Sequence, residues 1–147
     1  MIKFLKPIRY IYTDSLYEFN LEIIFTNDLK RSLASVYKRW GISEEIFDCE
    51  GCVVVCQDKD SNISDTTKYA IIFKYDKLTN GLIAHECQHL SAFILDDRQI
   101  DLAGGNDDYE NLAWLTGHLN EIVYTIIEKE SLPIYRALIE PKIKKLK

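Results

Sequence analysis

Up to about residue 75 the apolar residues of this chain come in short runs of β-branched and aromatic side chains, and beyond it they recur every three or four positions. That switch from a strand-like to a helix-like period limits the fold more than any other feature. Residues 8–12 and 16–25 are rich in Ile, Tyr, Phe and Leu and read as two strands around a turn near Thr13-Asp14-Ser15. A helix is expected over 28–40, with Asp28 as a cap, Leu29, Leu33, Val36, Tyr37 and Trp40 at helical spacing, and Gly41 as a stop. Residues 51–57 and 67–75 read as strands joined by the polar turn 58–66, so 51–75 forms a hairpin. From about Lys77 to Leu95, the residues Leu78, Leu82, Ile83, Leu90, Phe93 and Ile94 mark a helix. A polar loop over 96–106 contains Gly104-Gly105. A second long helix runs from about Asp107 to Glu130 on the stripe Leu112, Leu115, Leu119, Ile122 and Ile126. Pro133 ends it, and a short terminal helix is expected over 134–146. Strands first and helices after give the α+β class: a small antiparallel or mixed sheet packed on two long helices.

A length of 147 residues suits one domain, 1–147, with its own core, and 47% hydrophobic with 28% charged residues is the balance of a globular chain. The longest apolar runs, such as Ala70-Ile71-Ile72-Phe73, are far too short to cross a bilayer. The start, Met1-Ile2-Lys3-Phe4-Leu5-Lys6-Pro7, has no long apolar stretch and no small-residue cleavage site, so no signal peptide is read and a cytoplasmic location is expected. A net charge of −5 argues against nucleic acid as a partner, and the one basic cluster, Lys142, Lys144, Lys145 and Lys147, reads as a solvated end. Neither nucleic acid nor membrane is expected as a partner. The four cysteines, Cys49, Cys52, Cys56 and Cys87, are expected as free thiols. Cys49-x-x-Cys52 has the spacing of a zinc knuckle or redox pair, but no second Cys or His pair follows to complete four ligands. Cys52 and Cys56 flank Val53-Val54-Val55 and read as small apolar residues at the edges of a strand.

Within the helix at 77–95 stands His85-Glu86-Cys87-Gln88-His89. Residues four apart lie about 40° apart around a helix and one turn along it, so both imidazoles can reach one metal from the same face. Zn²⁺ suits such nitrogen ligands. Glu86 lies beside the pair, where its carboxylate can take a proton from a water on the metal during attack on a carbonyl. The alternative is two solvent-facing or core histidines at helical spacing.

Zinc needs a third protein ligand, and the downstream candidates are Asp96, Asp97, Asp101, Asp107, Asp108, Glu110, His118 and Glu121. Asp96 and Asp97 follow the first helix too soon for the chain to return. Glu110 shares a helix face with Ala113, Gly117 and Glu121, and the small residues in the middle would let two helices approach closely. Asp107-x-x-Glu110 also reads as a variant capping box, in which Glu110 only satisfies helix-end amides. His118 lies about 80° round the helix from Glu110 and reads as a packed or partly exposed histidine.

Residues 82–119, LIAHECQHLSAFILDDRQIDLAGGNDDYENLAWLTGHL, resemble the core of small HExxH zincin-like metallopeptidases encoded by phages and prophages. In that pattern a short loop after the HExxH helix leads to a Glu-x-x-Ala-aromatic-Leu segment, here Glu110-Asn111-Leu112-Ala113-Trp114-Leu115. The wider similarity is to the gluzincins. It implies a zincin-like domain with His85, His89 and Glu110 as zinc ligands, Glu86 as the general base, and a peptide or protein as substrate. The earlier strands would then be the sheet that flanks the active helix, with an edge strand able to align an extended peptide. The gluzincin pattern Asn-Glu-x-x-x-Asp is absent, because Trp114 stands four after Glu110. Asp107 and Glu121 are the candidates to orient the histidines, and Tyr109 and Tyr124 those to stabilise an oxyanion. The resemblance implies either a zinc-dependent peptidase or an inactive zincin-scaffold accessory protein that binds a metal or a partner; a metal-free interaction domain is the third expectation.

Overall fold

The structure, a computed structural model, describes residues 6–57, 67–100 and 106–135, with the side chains of 106–108 outside that description. Strand β1 (Ile8–Thr13) runs antiparallel to β2 (Asn20–Thr26), with Ile8 opposite Phe25 and Thr13 opposite Asn20. The second strand starts four residues later than the apolar pattern suggests. Asp14 is the reason. Its Oδ2 accepts the amides of Leu16 at 3.0 Å and Tyr17 at 2.7 Å, and its own N–H donates to Phe19 O at 2.9 Å. Those groups are spent on a turn, with Glu18 in the left-handed region at φ 52°, and cannot join a ladder.

Helix α1 (Leu29–Trp40) begins and ends where expected. Asp28 accepts the Arg31 amide at 3.0 Å, and Gly41 closes the helix at φ 68°. Strands β3 (Gly51–Cys56) and β4 (Lys68–Lys74) pair antiparallel, Gly51 opposite Phe73 and Cys56 opposite Lys68. The centre of the sheet is a parallel seam: β4 lies beside β2 with Leu21 opposite Tyr69 and Thr26 opposite Lys74. The order is therefore β1-β2-β4-β3, a mixed sheet with β1 and β3 at its edges. Both central strands are buried over nearly their whole length, as strands covered on two faces must be.

A 3₁₀ turn over Tyr75–Lys77 separates β4 from helix α2 (Asn80–Asp97), whose first turn is capped by Thr79 Oγ1 accepting the Leu82 amide at 3.0 Å. Helix α3 spans Asn106–Lys129. Alternate strand residues serve opposite layers. Phe19, Leu21, Ile23, Phe25, Tyr69, Ile71 and Phe73 pack under α2 and α3 against Ile83, Cys87, Leu90, Leu115, Leu119 and Val123. On the other face Ile24, Cys52, Val54, Ala70 and Ile72 pack against Leu29, Leu33, Val36 and Tyr37 of α1. The class is α+β, with α1 and the α2–α3 pair on opposite faces of the sheet.

The far end of α2 is tied down twice. Arg98 donates to Tyr17 O and Glu18 O, both at 2.8 Å, and Asp97 accepts from Tyr69 and Gln57. Among the described residues no helix is long and apolar enough to cross a membrane. The expected turn at 58–66 lies outside the described residues, as do most of the expected terminal helix and the lysines at 142, 144, 145 and 147.

Candidate metal centre

Helix α2 buries Ile83, Glu86, Cys87, Leu90, Ser91, Ile94 and Leu95 and leaves His85 and His89 on its exposed side. The two imidazoles do not splay. Their Nε2 atoms are 3.0 Å apart, and the rings meet edge to face at 4.5 Å between centroids. Two nitrogens at that separation need something shared between them. It can be one proton, with one ring donating to the other's lone pair, or one cation. Nitrogens bound at about 2.0–2.1 Å to a tetrahedral zinc lie roughly 3.3 Å apart, so the observed pair fits a common ion with little adjustment.

Glu86 points inward, 7% exposed. Its Oε1 is 4.0 Å from His85 Nε2. Burial raises its carboxyl pKa above the usual range, and the neighbouring His85 and His89 only partly offset this. The chain on its other side is Gly51, at the head of edge strand β3. A Cβ placed there would come within 3.2 Å of Glu86 Cγ, 3.3 Å of Leu82 Cδ1 and 3.4 Å of Ile72 O. The backbone at Gly51 can press against Glu86 because no side chain intervenes.

The structure brings His85, Glu86 and His89 together and does not bring Glu110 to them. Glu110 is exposed near the start of α3, and among the described residues no third His, Cys, Asp or Glu joins the pair in a group able to hold a metal. The capping reading of Glu110 also loses its partner's place. Helix α3 already begins at Asn106, so Asp107 is inside it; the side chains of Asp107 and Asp108, and all of Asp101, lie outside the described residues. The small face of α3 does not let the helices approach. Ala113 and Gly117 are exposed, and a Cβ on Gly117 would meet nothing within 4 Å. The larger burial available to Leu115, Leu119 and Val123 turns that stripe inward and leaves the small face open.

The remaining candidates are placed elsewhere. His118 is committed to β1: its Nε2 is 2.8 Å from the Tyr12 hydroxyl, which itself donates to buried Asp14 at 2.8 Å. Trp114 stacks on the His118 ring at 5.1 Å between centroids. Burial, then the Asp14 carboxylate, pushes the Tyr12 phenol up to about 12. Asp96 and Glu121 are exposed, and Asp97 is taken by Tyr69 and Gln57. Tyr109 is exposed, and Tyr124 donates to Asn80 Oδ1 at 2.6 Å, tying α3 to the first turn of α2.

Residues 49–52 were not legible as neighbours of this centre. A glycine opening the run Val53-Val54-Val55 was the available signal of a close backbone approach, but which element approaches depends on the parallel seam. Comparison of the chain with protein-family models, with curated proteins and with solved structures gave no match.

Proposed function

We propose that the protein is a zinc-dependent metallopeptidase of phage or prophage origin, acting in the cytoplasm on a peptide or protein. The observation that carries this reading is the facing pair of Nε2 atoms 3.0 Å apart on the exposed side of α2, with the Glu86 carboxyl within 4.0 Å of one of them. His85 and His89 would be the two nitrogen ligands; Glu110, the third on the gluzincin pattern, stands apart from them in this structure and would have to be brought to the ion. The ion supplies Lewis acidity towards water and a carbonyl oxygen when bound.

The chain's own part follows from the site. Burial that disfavours the Glu86 carboxylate makes it a better proton acceptor than a solvated one, as a general base near neutrality requires. Glu86 takes the proton of the attacking water and hands it to the leaving amine. The Gly51 backbone lies close against its Cγ from the strand side. Strand β3 lies at the sheet edge beside α2, so a substrate in extended conformation has a backbone ladder to join.

A second reading has its own observation. Glu110 stands apart from the pair, which favours a zincin scaffold that binds a metal or a partner without hydrolysis. One experiment separates the two. Protein purified without a histidine tag is analysed for metal and then screened against a peptide library with and without chelator. Stoichiometric zinc with chelator-sensitive cleavage that Glu86→Gln removes supports the peptidase. Zinc without turnover supports the scaffold. No bound zinc, nickel, cobalt or iron after reconstitution overturns the peptidase and the metal-binding form of the scaffold.

A further inference from the structure

We propose that Cys49 and Cys52 are a reversible dithiol–disulfide pair, closed by exchange with a small-molecule disulfide, at the point where the edge strand meets Glu86. This goes beyond the hydrolytic reading and does not depend on it. Both cysteines are free in this structure. The Cys49 side chain folds back over the bend, its Sγ–H donating to Gly51 O at 3.0 Å. That carbonyl belongs to the peptide joining Gly51 to Cys52, so the Cys49 sulfur lies beside the Cys52 backbone. Two residues between them is the spacing of a redox dithiol.

Access sets the order of events. Cys49 is half-buried and reachable, and Cys52 is 6% exposed. The Cys49 thiolate attacks one sulfur of a disulfide R–S–S–R and expels one R–S⁻. The Cys52 thiolate then attacks the Cys49 sulfur of the mixed disulfide and expels the second. The two cysteines lose two electrons and two protons, and the oxidant leaves as two R–SH. Burial, with the Glu86 charge adding to it, raises both thiols. The reduced form therefore gains no stability as a thiolate, and the closed disulfide, being apolar, suits the site. Such a pair resists reduction once formed, and it forms faster as pH rises and thiolate becomes available. Cys56 has Trp40 O at 3.9 Å as its contact, and Cys87 is fully buried on α2. The Gly51 backbone that abuts Glu86 lies inside the loop, so closing it fixes that backbone against the carboxyl.

The test uses the full chain in the presence of glutathione disulfide at mildly alkaline pH, with dithiothreitol in a parallel tube as a reference dithiol. Samples are quenched in acid, denatured, alkylated with N-ethylmaleimide, and read by intact mass and peptide mapping. The expected product is a monomer with two fewer alkylated thiols, a cross-link mapped to Cys49 and Cys52, and full reversal by reductant. Cys49→Ser, at the more accessible position, is expected to keep Cys52 alkylatable, and Cys56→Ser to leave the cross-link intact. A stable glutathione adduct on Cys49 with Cys52 still alkylated overturns the proposal. So does alkylation of all four cysteines under conditions that fully oxidise the reference.

Discussion

His85 and His89 on α2 differ from His118 on α3 in what already holds their rings. His118 is 32% exposed at its side chain, bonded to Tyr12, 3.6 Å from Asp14 and stacked on Trp114. His85 is 65% exposed, and its Nε2 faces the Nε2 of His89. His118 has committed its Nε2 to the fold, whereas the α2 pair holds two nitrogens that can satisfy only one proton between them. Two exposed imidazoles facing each other add little stability, and on the proposed reading a shared cation would use both nitrogens.

The sharpest way to break this contrast is to remove each kind of histidine and count metal. His85→Ala with His89→Ala is expected to abolish zinc binding while changing stability by no more than about 0.5 kcal/mol, as exposed positions allow. Metal analysis and urea unfolding of the metal-free protein check both halves; retained stoichiometric zinc would end the comparison. Glu86→Gln is expected to keep zinc and lower hydrolysis by about 10²–10⁴-fold, the usual share of a general base, measured on whichever peptide the library yields. His118→Ala should do the reverse. Zinc stays stoichiometric, and unfolding free energy falls by about 1–2 kcal/mol as buried Asp14 and Tyr12 lose their partner. Gly117→Ala is expected to stabilise the protein by roughly 0.5–1 kcal/mol without touching metal content, because a methyl there meets open space and the helix interior favours Ala. A loss of zinc in that variant would show that the open face of α3 closes onto the pair.

The smallest expected effect is a slope in pH. Glu86 has a raised carboxyl pKa in the fold, so the folded state binds its proton more tightly than the unfolded chain does. Its favourable contribution is fully present below the ordinary carboxylate range and is lost as pH rises through the raised value. Metal-free Glu86→Gln should therefore lack that decline, and urea midpoints taken across the acid range in both proteins would expose an unaltered slope.

Much of the fold could be read from local chemistry. Asp28, Gly41 and the apolar spacing between them placed α1 to within one residue, and the β3–β4 hairpin followed from its two runs. The β1–β2 boundary failed because the Asp14 carboxylate competes for amides that the apolar pattern assigns to a strand. The parallel seam was invisible because adjacency between strands distant in sequence leaves no mark in either run. In the site, helical periodicity alone predicted that His85 and His89 share a face. Which side of α3 turns inward depended on Leu115, Leu119 and Val123 competing with the small face, and that competition set where Glu110 stands.

The seam between β2 and β4 also sets an order of assembly. Leu21 cannot meet Tyr69 until α1 and β3 have been traversed, so its ladder closes one of the longest loops in the sheet. The β1–β2 hairpin and the α2–α3 pair are local and can form early. Refolding should therefore be slowest at the sheet centre, with amide protection in Ile23 and Ile71 gained last.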